Sequence, residues 1–236
     1  MEEIIISKDI EDKSRLLIHN FPCLSSFYST RKIWRRMCDS QLWEEIVLSI
    51  LSSNMQFETA YSALLQLVNK ELMDYNTYTE TTLIRIIKEL KKSIYLPRKK
   101  NNGFRSYRYP TKRANYVYKS GVIIRERYGS LRKLLYKFDN IDELRAEIVG
   151  YLPGIGMKEA SMFLRNIGFS YRVAILDRHV MRFLFPDFGY FNQKRILTPK
   201  TYLIVERKFQ SLSDKIGISP CLLDNLIWQY SKGGIN

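Results

Sequence analysis

Two side chains in the second half of the chain have the types and the placement for covalent chemistry. Lys158 follows directly on a glycine-bearing turn, Leu152-Pro153-Gly154-Ile155-Gly156. The turn is flanked by a helical pattern over Asp142–Val149, which Gly150 is placed to end, and by a second helix starting near Met157. A lysine in the first turn of a helix is unusual, because the positive end of the helix dipole disfavours its charge. Partial burial there would favour the neutral amine, which is a good nucleophile. Further on, Ala174-Ile175-Leu176-Asp177-Arg178-His179-Val180 puts an acid at the end of an apolar run and the start of another helix. Asp177 suits a helix N-cap, and it could equally stabilise positive charge and take a proton from an amine. On position alone Lys158 can also be read as a surface lysine touching an anion. His179, one of only two histidines, reads as packing or an anion contact rather than a general base, and Arg178 as a surface residue.

The turn itself is suited to a flat or charged partner. Gly154 and Gly156 remove Cβ atoms and permit positive φ, so that backbone can come close. The free amides at the start of the second helix would then point at a phosphate. Carbonyls of the same turn could hold a monovalent cation. Glycine turns between helices are common, and an ordinary helix–turn–helix junction is the alternative.

Helical periodicity supplies the elements that must hold these groups. Trp43, Ile46, Val47, Ile50 and Leu51 fall on one helix face, as do Leu83, Ile87, Leu90 and Ile94 before Pro97. Ala160, Phe163, Leu164 and Ile167 face inward after the turn. Ser219-Pro220 starts a helix carrying Leu222, Leu223, Leu226, Ile227 and Tyr230. Tyr171–Leu176 is short and apolar enough to be extended. The fold class expected is all-α. Pro97–Thr111, rich in basic and aromatic residues, reads as an irregular loop, either tracking a phosphate backbone or simply solvated.

Composition narrows the partners. Of 236 residues 45% are hydrophobic, so a packed core is expected. Lys and Arg number 38 against 24 Asp and Glu, a net charge of +14, which favours polyanions such as nucleic acid. Three cysteines without a CxxC pair argue against a structural zinc site and against an iron–sulfur cluster. No segment reads as a secretion signal or a membrane span, so an intracellular, soluble protein of the cytoplasm or nucleoid is expected.

The string LPGIGMKEASMFLRNIGFSYRVAILDRHVMRFL resembles the helix-hairpin-helix and catalytic segment of base-excision DNA glycosylases. The turn, the lysine and the aspartate together match the lysine-bearing, bifunctional branch. KEASxFLRNIG and DRH are most similar to the type 2 8-oxoguanine DNA glycosylase/AP lyases. Three further stretches resemble that group: Ile50–Asn54, Tyr107–Tyr109 with Lys112–Tyr116, and Leu223–Trp228.

The resemblance implies two helical lobes with the active site in the cleft between them. One lobe spans residues 46–165 and ends in the hairpin; the other is built from 1–45 and 166–236. It implies that Lys158 and Asp177 are catalytic. Lys158 would attack the sugar C1′ under 8-oxoguanine to form a Schiff base, and β-elimination would follow. DNA contacts would come from Gly154, Gly156, Asn54, Arg108, Lys112, Arg113 and His179, with Asn54 meeting the base left unpaired. The base pocket would hold Trp228, stacking on the extruded base, and Asn236. Members of the group end in a lysine tied to telling 8-oxoguanine from guanine, whereas this chain ends Lys232-Gly233-Gly234-Ile235-Asn236. The expected partner is double-stranded DNA carrying a damaged base, bound by a monomer with no metal ligated by side chains and no cofactor. A non-catalytic helix-hairpin-helix DNA-binding module and a glycosylase for oxidised pyrimidines are the alternatives.

Overall fold

The computed structural model describes residues 8–20, 33–96, 103–185 and 198–231. Eleven α-helices run through the described residues: α1 (Lys8–Asn20), α2 (Asp39–Ser52), α3 (Phe57–Val68), α4 (Glu80–Lys91), α5 (Pro110–Ile123), α6 (Leu131–Lys137), α7 (Ile141–Tyr151), α8 (Met157–Asn166), α9 (Arg178–Leu184), α10 (Pro199–Ile216) and α11 (Pro220–Ser231). A two-stranded antiparallel ribbon, β1 (Ser93–Leu96) and β2 (Gly103–Ser106), pairs Ser93 with Ser106 and Leu96 with Gly103. The chain divides into two compact units, residues 1–33 with 164–236, and Trp34–Phe163, the division falling inside α8. No helix among the described residues is long and apolar enough to cross a membrane.

The Trp34–Phe163 unit is built around α2. Trp43, Ile46, Val47, Ile50 and Leu51 are fully buried, and the Trp43 ring packs against Tyr75 at 5.1 Å between centroids. Asp39 in the first turn of α2 accepts from the Tyr75 hydroxyl and, at 3.0 Å, from the Arg132 amide, which ties α6 to the start of α2. Thr79 and Ser130 cap α4 and α6, and Asn140 caps α7 with bonds from the Asp142 and Glu143 amides. In α4 the buried face centres on Ile86 and Leu90, with Leu83 and Ile87 at its margins.

Three local expectations are corrected here. Helical spacing alone carries α4 on to Ile94, but the helix stops at Lys91. Ile94 instead lies buried in β1, because pairing with Gly103–Ser106 and packing on α3 take over. Pro97–Thr111 is accordingly not a single irregular loop, since Gly103–Ser106 is a strand and Pro110 opens α5 at the position where a missing N–H costs nothing. Gly150 does not end α7, which continues to Tyr151 with Leu152 as its C-cap.

In the other unit α1, α9 and α10 pack on α11. Ser219 caps α11 as its spacing predicts, its Oγ accepting from the Leu222 amide at 3.2 Å. Leu222, Leu223, Leu226 and Ile227 are buried, but Tyr230 is exposed, one position beyond the covered stripe. Residues 173–176 are buried without joining a strand among the described residues.

Candidate active site

The hairpin turn is shaped by one glycine more than by two. Gly154 has φ +85°, a left-handed value that L side chains avoid. A Cβ there would come within 2.3 Å of Cδ2 of Tyr116, so the turn lies directly on that ring. Gly156 has no positive φ, contrary to the expectation for both glycines, and a Cβ there would meet only the Glu159 carboxylate, at 3.2 Å. The Gly156 amide donates to Glu159 Oε2 at 3.3 Å, the reach-back of a capping box, so it is not among the free amides. The remaining amides of the first turn of α8 have no acceptor within the helix by geometry and lie at the positive end of its dipole.

Lys158 stands in that first turn, with its side chain 28% exposed and its Nζ 3.3 Å from Glu159 Oε1. Glu159 therefore does two things at once: it closes the turn through Gly156 and offsets an ammonium at a helix start. Sequence reading missed this residue, although a glutamate three positions after a turn glycine is a recognisable signal.

Two other stretches expected to meet DNA join the hairpin in the same unit. The Tyr116 ring that supports Gly154 also lies under the Lys112 ammonium and the Arg113 guanidinium, each at 5.7 Å. Arg113 itself is buried: its Nη2 donates to Ser53 O at 2.7 Å and its amide to Tyr109 O at 3.0 Å. Tyr107 is buried too and donates to Leu51 O at 2.7 Å, so carbonyls at the end of α2 are taken by residues around the start of α5. Burial pushes the Tyr107 hydroxyl well above the ordinary phenol range. These struts hold two non-glycine residues in left-handed conformation, Asn54 at φ 58° and Tyr109 at φ 62°. Such strain persists only where the surroundings over-determine it, and it clusters at functional sites. Asn54, Arg108 and Lys112 are exposed. Arg113 thus acts as a strut inside the protein, whereas Asn54, Arg108 and Lys112 face solvent.

Asp177, His179 and Trp228 belong to the other unit. Asp177 caps α9, with Oδ1 accepting from the His179 amide at 2.8 Å and the Val180 amide at 2.9 Å. Its Oδ2 has no hydrogen-bond partner among the described residues. His179 is half-buried and accepts from Arg178 Nε at 3.4 Å. Trp228 is 36% exposed on α11, so it is not a core tryptophan. Asn236 lies outside the described residues. Among the described residues no three His, Cys, Asp or Glu side chains gather as metal ligands.

A family model described as 8-oxoguanine DNA glycosylase matches residues 25–218. The chain belongs to the 8-oxoguanine DNA glycosylase family. A curated member from Metallosphaera sedula, named 8-oxoguanine DNA glycosylase/AP lyase, is 33% identical over 200 residues, covering 84% of this chain and 86% of its own length. Among solved structures, the 8-oxoguanine DNA glycosylase of Thermotoga maritima superposes with a TM-score of 0.73 at 22% identity, covering 96% of this chain and 97% of its own. The 8-oxoguanine glycosylase/lyase of Methanocaldococcus jannaschii, solved in complex with a 15mer DNA containing 8-oxoguanine, superposes with a TM-score of 0.63 at 24% identity, covering 96% and 91%. At these identities the superpositions speak for the fold, the all-α helix-hairpin-helix architecture of the 8-oxoguanine DNA glycosylases. Family membership rests on the sequence match.

Proposed function

We propose that this protein is a bifunctional DNA glycosylase/AP lyase that removes 8-oxoguanine from double-stranded DNA. The observation that carries the reading is the hairpin: a left-handed glycine seated on an aromatic ring, followed four positions later by a partly covered lysine in the first turn of a helix. Relatives that carry the 8-oxoguanine DNA glycosylase/AP lyase name, and the Methanocaldococcus jannaschii neighbour solved with lesion-containing DNA, support the choice of substrate.

In this reading the amides and cations around the turn dock on phosphates, and the damaged nucleotide is flipped out, because its sugar carbon is out of reach inside the stack. Unstacking costs a few kcal/mol, offset by about 1–3 kcal/mol from stacking on an aromatic such as Trp228. Asn54, held exposed at a strained turn, contacts the base left behind. The Lys158 amine adds to C1′ as the C1′–N bond to the base breaks, and the base leaves with the bonding pair. Opening of the sugar ring gives a Schiff base between Lys158 and C1′. Loss of a C2′ proton then expels the 3′-phosphate and nicks the strand. Asp177 stabilises positive charge on the sugar and takes the proton that Lys158 must lose, through the oxygen its capping bonds leave unused. Arg113, expected to contact DNA, is assigned here to holding the Asn54 turn.

The reading is tested with a panel of duplexes carrying 8-oxoguanine, an oxidised pyrimidine, an abasic site or no lesion, scored for base release and nicking at modest salt. Release and nicking at 8-oxoguanine are expected. Salt-sensitive binding without base release at any lesion would leave a DNA-binding module, and preferential cleavage at the pyrimidine would move the protein to another glycosylase class.

A further inference from the structure

The segment leading into Asp177 is held in an unusual way. Val173, Ala174, Ile175 and Leu176 are buried, and buried amides outside a helix or sheet must find other acceptors. Three successive amides find side chains: Ala174 N–H donates to Glu206 Oε1 at 2.9 Å, Ile175 N–H to Asp224 Oδ2 at 2.9 Å, and Leu176 N–H to the Tyr202 hydroxyl at 3.2 Å. The Tyr202 hydroxyl in turn donates to Ala174 O at 2.6 Å. Tyr202 and Glu206 stand one turn apart on α10, and Asp224 is on α11. The other Asp224 oxygen accepts from Arg165 Nη1 at 2.7 Å.

We propose that Asp224 is a positioning residue for the excision reaction: clamped between the Arg165 guanidinium and the Ile175 amide, its buried carboxylate fixes the backbone two residues before Asp177 and so the direction in which the Asp177 carboxylate is presented. The inference rests on the catalytic role given to Asp177 above. Asp224 makes no contact with reacting atoms; it acts through the backbone.

The choice of an acid here is informative. Burying a carboxylate is costly, and a neutral acceptor would satisfy one amide at a lower cost. Only a carboxylate presents two acceptor oxygens to two donors at once; an asparagine would turn its NH2 toward one of them. Burial pushes the Asp224 carboxyl up to about 6, the Arg165 charge and the Ile175 amide pull it down, and the Asp177 charge adds to the rise. A displacement on the order of 1 Å at a catalytic group costs roughly 100-fold in rate, so a clamp this near to Asp177 has leverage on turnover that a remote core contact lacks.

The test compares full-length Asp224→Asn, Arg165→Gln, Asp177→Asn and the Asp177→Asn/Asp224→Asn double variant, by single-turnover excision from an 8-oxoguanine duplex and by equilibrium affinity for it. Asp224→Asn is expected to slow excision by about 30-fold or more with affinity unchanged within about threefold, and the double variant to be no slower than Asp177→Asn within about threefold. Arg165→Gln, at a partly exposed position, is expected to slow excision about tenfold, and it decides the matter should Asp224→Asn fail to fold. Excision within threefold of the unsubstituted protein, or losses that multiply in the double variant, would overturn the inference. If Asp177→Asn itself excises normally, the failure belongs to the catalytic assignment; if Asp177→Asn is slow while Asp224→Asn is fast, only the positioning role is lost.

Discussion

The hairpin around Lys158 and the segment around Asp177 are held by opposite means. At the hairpin almost everything is local: Gly154 sets the turn, Glu159 closes it from three residues away, and the lysine lies between them. Tyr116 under Gly154 is a distant support. At Asp177 almost nothing is local except the cap on α9. The backbone before it is fixed by Tyr202, Glu206 and Asp224, from two helices far along the chain. A turn built by backbone geometry is suited to a backbone partner, which in the proposed mechanism is phosphate. A carboxylate fixed by buried side chains is suited to a task where orientation sets rate.

The contrast predicts that lesions in the two regions differ in kind. Asp177→Asn keeps the cap acceptor but loses the charge. It should slow single-turnover excision by about 10²–10⁴-fold with little change in duplex affinity; normal excision would leave Asp177 as a cap alone. Gly154→Ala should act the other way. The left-handed backbone and the Tyr116 ring both resist a Cβ, so the turn must shift, and duplex affinity should fall by about tenfold or more, while the lesion that does bind is still processed. Affinity and single-turnover rate are measured for both variants, and equal loss of both properties in either one would contradict this division of labour. Tyr202→Phe strands the Leu176 amide and is expected to cost about 1–3 kcal/mol of stability, read by denaturant unfolding. Trp228→Ala should weaken binding to lesion DNA by about 1–3 kcal/mol without altering affinity for undamaged duplex. The smallest effect should come from Arg172→Ala: its pair with Asp214 is exposed on both sides, so stability should stay within about 0.5 kcal/mol.

The Asp224 carboxyl adds a pH signature. Held at about 6, it lies above its ordinary value in the unfolded chain, so burying the ionised form that the clamp uses costs stability. Its contribution to stability is fully present below about pH 4 and is lost as pH rises through about 6. Asp224→Asn should therefore flatten the dependence of the melting temperature on pH between about 4 and 7, and an unchanged dependence would show that another group titrates there.

Legibility in sequence followed the same local-versus-distant division. The helices with strong periodicity and caps, α2, α8 and α11, are where their apolar spacing puts them, because burial of one face and a cap are written in adjacent residues. So is the hairpin turn. Ile94 deceived, since its helical spacing is overridden by pairing with a strand nine to twelve positions on, which no local pattern reveals. Arg113 stands among the DNA contacts that the resemblance implies; only the fold shows its guanidinium on Ser53 O. The supports of Asp177 were invisible for the same reason: a tyrosine, a glutamate and an aspartate on amphipathic helices carry no mark of the backbone amides they satisfy. Spacing alone could not say whether Trp228 belongs to the core; its exposure on α11 shows that it does not.

In the proposed mechanism the Lys158 amine, and no other, bonds to the sugar from which the base departs. Incubating the protein with an 8-oxoguanine duplex and borohydride should trap a covalent protein–DNA adduct, absent in Lys158→Gln although that variant still binds the duplex. An adduct of undiminished yield in Lys158→Gln would contradict the assignment.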